Sequence, residues 1–533
     1  MVGTAHPTET LAVTPEERRK LLEELLAKRS AGGLKTKDRL AIPPQEIPEQ
    51  EAAARRRNVN EVALGYTEEQ ARIEAFRCLQ CKNAPCIEGC PVRIRIRDFV
   101  GAIAAGDYRK ALEIIKENSL LPAVCGRVCP QEVQCQEKCT VGLSLKDVSK
   151  AVSIGRLERF VADLDSSRGM GFQPMNHRQD ADATNLHGQD ARATIPAVAA
   201  PTGMKVAIVG SGPGGIVAAA DTRRAGHEVT VFEAFHRPGG VMVYGIPEFR
   251  LPKAIVRHEI ETLKQMGVKI VTNFIVGRTR TIEQLMKEDG FDAVYIGVGA
   301  GLPSFMNVEG ESLVGVYSAN EYLTRANLMK AYQFGKGSDT PIALSKRVAV
   351  IGGGNVAMDS ARMAVRLGAE KVYLIYRRTE KEMPARVEEV HHAKQEGVEF
   401  HLLENPKRII GDAGGSVVAI ECLRYELGEP DASGRRRPVA IPGSEFQIEV
   451  DTVIVAIGNL ANPLIRRTTP GLEFDQRGNI VVDENCRTSM AGVFAGGDIV
   501  LGAATVILAM GQGRIAAAAM NEYLAGKKQS RES

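Results

Sequence analysis

Eight of the ten cysteines in this 533-residue chain lie between residues 78 and 139, in two runs of four. The runs read Cys78-x2-Cys81-x4-Cys86-x3-Cys90-Pro91 and Cys125-x3-Cys129-Pro130-x4-Cys135-x3-Cys139. Such short spacing forces the backbone to bend back and offer several thiolates to one small core, the ligand geometry of a cubic iron–sulfur cluster. Two runs predict two [4Fe–4S] clusters and therefore an electron carrier. Structural zinc is the rival reading, but zinc sites use two short CxxC pairs across a longer spacer, and these gaps are uneven with a Cys-Pro step in each run. A disulfide framework suits a small secreted domain rather than a chain of this length. Cys422 and Cys486 stand alone in sequence and read as small packed residues.

The remaining composition is that of an enzyme with several cores. The length implies about three or four domains. Hydrophobic residues make up 44% of the chain and the net charge is only +3, which leaves no electrostatic footprint for nucleic acid. No apolar run approaches the length of a membrane span. The polar start, Met1 to Pro15, lacks the pattern of a secretion signal, and reduced cysteines favour the cytoplasm.

Along the chain, Pro15 to about Lys28 reads as an amphipathic helix, followed by an extended connector containing Pro43, Pro44 and Pro48. Thr67 to Cys78 is helical and delivers the first cysteine run; Asp98 to Asn118 is helical between the runs. Residues 1–164 are thus expected to form an all-helical iron–sulfur domain. Residues 165–201 contain an imperfect repeat, His177-Arg178-Gln179-Asp180-Ala181 and His187-Gly188-Gln189-Asp190-Ala191. Two copies are too few to stack into a solenoid, so this reads as a low-complexity, solvated insertion.

From Lys205 the pattern becomes α/β. Val206–Val209 is a buried strand that runs into Gly210-Ser211-Gly212-Pro213-Gly214-Gly215, then a helix to Arg224 and a strand from Glu228 to Phe232 that ends at Glu233. Strand, glycines, helix, strand and acid together form a dinucleotide fingerprint: the glycines bring backbone against a pyrophosphate and the acid accepts a ribose diol. A second copy starts at Arg347, with Gly352-Gly353-Gly354-Asn355-Val356 and a strand from Lys371 to Tyr376 that ends in Arg377-Arg378. Where the first copy has an acid, an arginine pair attracts a 2′-phosphate, so the second site is expected to prefer NADPH over NADH. A solvated strand-end pair is the alternative for these arginines. The usual division places FAD at the first copy, with Gly210, Gly212, Gly214, Gly215, Glu233 and Gly240 in contact. Gly497 and Asp498, in the Ala495-Gly496-Gly497-Asp498 run, and Ala504, Thr505 and Val506 at the start of the last helix complete that site. Gly352, Gly354, Asn355, Val356, Arg377 and Arg378 form the NADPH site. The fold class expected is two nested Rossmann-like domains: FAD-binding from 202–310 and 458–533, NADPH-binding from 311–457.

These motifs resemble a known family. The cysteine runs, the first fingerprint, Arg237-Pro238-Gly239-Gly240, Tyr244-Gly245-Ile246-Pro247-Glu248-Phe249-Arg250-Leu251-Pro252-Lys253, Tyr376-Arg377-Arg378 and Met383-Pro384-Ala385 are similar to the small (beta) subunit of NADPH-dependent glutamate synthase. Gly299-Ala300-Gly301-Leu302-Pro303 and Tyr317-Ser318-Ala319-Asn320-Glu321-Tyr322-Leu323-Thr324 resemble more closely the large subunit of NADH-dependent ferredoxin:NADP oxidoreductase, also known as homotetrameric glutamate synthase. The resemblance covers about residues 55 to 525, without the insertion. It implies interleaved ligands: Cys78, Cys81, Cys86 and Cys139 for one cluster, and Cys90, Cys129 and Cys135 for the other. Glu158 is the candidate for the missing fourth ligand, with Cys125 as competitor and a surface glutamate as the plain alternative.

The resemblance further implies an electron-input subunit of a glutamate-synthase-type system, with hydride passing from NADPH to FAD and single electrons to the clusters. No side chain is needed as nucleophile or general acid, so no catalytic residue is expected. The partner expected is a large glutamate-synthase-type chain. A ferredoxin-reductase-like FAD/[2Fe–2S] chain, with ferredoxin, would instead make this the large subunit of an electron-bifurcating transhydrogenase. A non-catalytic scaffold is the third reading, and the intact glycines and arginines argue against it.

Overall fold

The computed structural model describes residues 14–170, 197–342, 344–430 and 434–532. They fall into two compact units, 14–49 with 63–170 and 50–62 with 197–532. The repeat expected at 177–194 lies outside the described residues.

The first unit is built on helices α1 (Pro15–Ser30), α2 (Glu68–Phe76), α3 (Ile96–Ala105), α4 (Tyr108–Asn118), α5 (Pro122–Val128), α6 (Thr140–Leu145) and α7 (Ile154–Met170). Thr14 and Thr67 start α1 and α2 with capping boxes closed by Glu17 and Gln70. The helical stretch read over Asp98–Asn118 is two helices. Gly106 takes φ 83° and ends α3, and Asp107 restarts the chain by accepting the Lys110 N–H at 3.0 Å. Among the described residues this unit has no strand. Just ahead of the first cysteine, the buried pair Glu74–Arg77 collects three segments. Glu74 accepts the N–H groups of Gln45 (2.9 Å) and Ser153 (2.8 Å), while Arg77 donates to the carbonyls of Ala151 (3.0 Å) and Lys150 (2.5 Å).

The second unit repeats one topology twice. Strands β1 (Lys205–Val209), β2 (Glu228–Phe232), β3 (Lys269–Val271) and β4 (Ala293–Ile296) join β16 (Val493–Ala495) in a parallel sheet of order β16-β4-β1-β2-β3. Strands β6 (Val316–Ser318), β7 (Arg347–Ile351), β8 (Lys371–Tyr376), β9 (Glu399–Leu402) and β14 (Thr452–Val455) form a second parallel sheet of order β6-β14-β7-β8-β9. In each sheet the first crossover is a helix, α8 (Pro213–Arg224) and α10 (Asn355–Arg366), α9 (Lys253–Gln265) leads from β2 to β3, and the inner strands are apolar on both faces because helices cover them. The two passages between sheets, β5 (Leu302–Pro303) and β15 (Asn459–Leu460), pair with each other antiparallel. An antiparallel ribbon of β10 (Glu404–Gly411), β11 (Val417–Pro430), β12 (Arg436–Ala440) and β13 (Phe446–Glu449), absent from the sequence reading, extends from the second sheet region. The last helix, α12, runs Val506–Glu532.

Residues 50–62, expected within the helical domain, group with the second unit. The Val62 N–H donates to the Phe249 carbonyl at 2.9 Å, and buried Arg55 donates to Glu396 (3.0 Å) and Gln395 (2.5 Å). Glu396, just after helix α11 (Val387–Gln395), also takes Arg362 (2.8 Å) and Arg366 (2.6 Å) from α10. Arg250 joins the network through Asp359 (2.8 Å) and Glu389 (3.1 Å), tying the segment after the first fingerprint to the second half.

Candidate cofactor sites

The cysteines of the first unit gather into two sets. Cys78, Cys81, Cys86 and Cys139 line one cavity, bordered by Ile96 and Arg97 at the start of α3 and by Thr140. Cys78, Cys81 and Cys86 are half-buried. The second set is buried: Cys135 lies within electrostatic reach of both Cys90 and Cys129, and Glu158 within reach of all three. Cys125 acts on Cys90 and is in hydrogen-bond contact with Cys129, so Glu158 and Cys125 both stand beside this set.

Helix packing explains how Glu158 reaches that place. A Cβ at Gly126 of α5 would stand 2.6 Å from the Arg159 nitrogen, and one at Gly155 of α7 would meet the Gln131 side chain. Without side chains there, α5 and α7 approach closely, and Arg127 clamps them with a two-pronged pair to Asp163 at 2.7 and 2.9 Å. Glu158 is 6% exposed, and its Oε1 has no hydrogen-bond partner.

The donor set fits a cationic cluster. All ten cysteines are free thiols. Burial pushes Cys78 and Cys90 up to about 11 and Cys86 to about 12, the last also through the nearby charges of Cys139, Cys78 and Cys81. Burial likewise pushes the Glu158 carboxyl up to about 8. Thiolates and a carboxylate crowded this way are stable only around positive charge, which bound iron supplies.

In the first parallel sheet, the fingerprint glycines divide their labour. A Cβ at Gly210 would come within 2.4 Å of the Gly297 carbonyl oxygen, and one at Gly215 within 2.0 Å of the Gly210 oxygen, so both are needed by the fold itself. Gly212, which caps α8, faces open space with nothing within 4 Å. That is a cradle for a pyrophosphate at a helix N-terminus. Gly214 packs instead against the opening of α12, where its Cβ would lie 2.9 Å from the Ala509 oxygen. Gly240 lies against the cradle, its Cβ position 2.7 Å from the Gly212 Cα. Glu233 ends β2 with its oxygens held by the N–H of Ser211 (3.1 Å), the Ser211 hydroxyl and the N–H of Phe235 (2.8 Å), which leaves acceptor capacity for a diol. Asp498 accepts the Ala504 N–H at 3.2 Å, and burial raises its carboxyl to about 6. Glu233 and Asp498 both lie within electrostatic reach of Tyr244: after burial, the charges of Asp498 and Glu233 raise its phenol to about 12. Gly497 donates to Gln512 at 2.6 Å, and Thr505 precedes Val506 at the head of α12.

The second sheet repeats the pattern. A Cβ at Gly352 would meet the Ala456 oxygen at 2.3 Å, whereas Gly354, capping α10, has nothing nearer than Pro384 at 3.9 Å. The Asn355 side chain accepts the Arg386 N–H at 3.0 Å, and Val356 is exposed beside it. The two arginines part ways. Arg377 is exposed at the end of β8, while Arg378 is buried with its Nε donating to the Arg436 carbonyl of β12 at 2.9 Å. The ribbon that engages Arg378, and the charged network around Glu396, escaped the sequence reading. Asp359, Arg362 and Arg366 at helical spacing in apolar α10 were the available signal for the network.

Two family models match the chain: pyridine nucleotide-disulphide oxidoreductase over residues 204–518, and dihydropyrimidine dehydrogenase domain II, 4Fe–4S cluster, over residues 55–170. The glutamate synthase [NADPH] small chain of Escherichia coli (strain K12) is 36% identical over 470 residues, covering 87% of this chain and 93% of that protein. The NADP(+)-dependent formate dehydrogenase subunit beta of Moorella thermoacetica is 41% identical over 448 residues, covering 83% of this chain and 60% of that longer protein. Among solved structures, Mycobacterium tuberculosis FprA in complex with NADPH has a TM-score of 0.51 at 21% identity, covering 62% of this chain and 86% of that one, a likeness of fold.

Proposed function

We propose that this chain, which belongs to the glutamate synthase small-chain family, is an NADPH-linked electron-transfer subunit that works through FAD and two [4Fe–4S] clusters. The observation that carries the reading is the pair of open glycine cradles with opposite strand-end chemistry: Glu233 at the first, exposed Arg377 at the second. Family membership and the match to a 4Fe–4S domain support it.

When bound, FAD supplies exchange between two-electron hydride chemistry and the one-electron chemistry of the clusters. The chain's own residues bind and orient. Gly212 and the start of α8 would receive the FAD pyrophosphate, and Glu233 its adenosine ribose. Asp498, and Ala504 to Val506 at the head of α12, would hold the flavin end. Gly354 and Asn355 would receive the NADPH pyrophosphate, with Arg377 on its 2′-phosphate. Arg378 supports this site through the ribbon backbone. Cys78, Cys81, Cys86 and Cys139 would hold one cluster; Cys90, Cys129, Cys135 and Glu158 the other.

The partner proposed is a larger chain that consumes or supplies the electrons, of the glutamate-synthase type. A ferredoxin-reductase-like FAD/[2Fe–2S] chain is the outcome that would move the reading toward a transhydrogenase. Co-purification from the source cell tests this. Steady-state reduction of an artificial one-electron acceptor, with NADPH and NADH compared, tests the nucleotide assignment. Equal use of both nucleotides would contradict the role given to Arg377.

A further inference from the structure

Gln80 lies between the first two cysteines of the half-buried set and takes a left-handed backbone, φ 53°. That conformation is uncommon outside glycine and asparagine. Its side-chain nitrogen donates to Cys78 Sγ at 3.3 Å and to the Arg97 carbonyl at 3.1 Å. Both neighbours are acceptors, so the amide orientation is fixed with its nitrogen toward the sulfur. The amide oxygen rests on α3, 3.2 Å from where a Cβ on Gly101 would be. The Gln80 backbone N–H is directed at the same sulfur. On the neighbouring sulfur, the Thr140 hydroxyl stands 3.3 Å from Cys81 Sγ and can donate once that sulfur is a thiolate. In the buried set, Cys90 is approached by the backbone amides of Ile94 and Val92 and lies within electrostatic reach of Glu158.

We propose that Gln80 tunes the reduction potential of the cluster held by Cys78, Cys81, Cys86 and Cys139, raising it through the hydrogen bond it donates to the Cys78 sulfur. The inference rests on the cluster reading given above. Reduction adds one electron and no proton, delivered from NADPH by way of the flavin. The added negative charge spreads over the cluster sulfurs. An N–H dipole aimed at one sulfur stabilises the reduced state more than the oxidised state, and hydrogen bonds to sulfur are among the established levers on such potentials.

The test is an anaerobic redox titration of the full chain, followed by EPR and by iron analysis, for the native protein, Gln80→Leu and Gln80→Glu. In Gln80→Leu one cluster signal should move to lower potential, by about a tenfold loss in its reduction equilibrium, which is 59 mV for a one-electron couple. The other signal should stay in place and iron content should not change. Gln80→Glu, which keeps the shape but replaces the donor with negative charge, should move the same signal further. Unmoved potentials in both variants, or equal shifts of both signals, would overturn the proposal. Loss of iron in both variants would make Gln80 a retention residue and overturn it too. A native chain without iron would overturn the cluster reading itself, a distinguishable failure.

Discussion

Glu158 lies within electrostatic reach of Cys90, Cys129 and Cys135 with one oxygen unpartnered, and burial lifts its carboxyl to about 8. Glu158→Ala is expected to lower iron content by about half and leave one EPR signal, whereas Cys125→Ala keeps both. The reverse pattern would assign the ligand to Cys125. At the second cradle, Arg377→Ala should raise the KM for NADPH about 10- to 100-fold, since a hydrogen bond to a charged group contributes ~1.5–3 kcal/mol. The KM for NADH should hardly move. Arg378→Ala should lower the thermal midpoint instead, because its guanidinium braces the Arg436 carbonyl. Lys253 gives a pH dependence. Its ammonium binds the carbonyls of Ile246 (2.5 Å) and Leu251 (2.8 Å), and burial lowers its pKa from 10.5 to about 8. Between those two values the unfolded chain holds more protons than the folded one, so stability rises with pH across this window. Lys253→Met should flatten that rise in thermal melts; an unchanged slope would contradict the assignment.

At the scale of elements, the legible parts were those written in local periods. β2 and β8 were read with their observed ends, Glu228–Phe232 and Lys371–Tyr376, because apolar runs bounded by glycines and charges mark buried strands. The break at Gly106 was hidden because apolar spacing continues across it on both sides. The ribbon from β10 to β13 was not legible because its pairing joins strands whose registers are set by one another rather than by local composition. The buried charge network was least legible of all: Arg55 and Glu396 are 341 positions apart. Its consequence is measurable. Glu396→Gln would leave Arg55, Arg362 and Arg366 buried without their shared counter-charge, and breaking a buried pair destabilises by ~3–5 kcal/mol. A chemical denaturation midpoint close to that of the native chain would show that the network is not what fastens residues 50–62 to the second unit.

For the molecule as a whole, the candidate sites follow from where glycines open a helix start and where helices close on cysteines. Sequence spacing indicated both cradles and the two cysteine runs, whereas the interleaving of those runs was implied only by the family resemblance. It did not distinguish Arg377 from Arg378, because that difference is made by the carbonyl of a distant strand. Among the described residues, no helix is long and apolar enough to cross a membrane. In the function proposed, electrons from NADPH pass through a flavin to cysteine-bound clusters within this one chain. Its most direct test is an anaerobic NADPH titration of the purified chain, following flavin absorbance and cluster EPR together, with NADH in parallel. Flavin bleaching at far lower NADPH than NADH, with cluster signals growing as the flavin is reduced, is the predicted result. A flavin that neither nucleotide bleaches, or clusters that stay oxidised beside a reduced flavin, would contradict it.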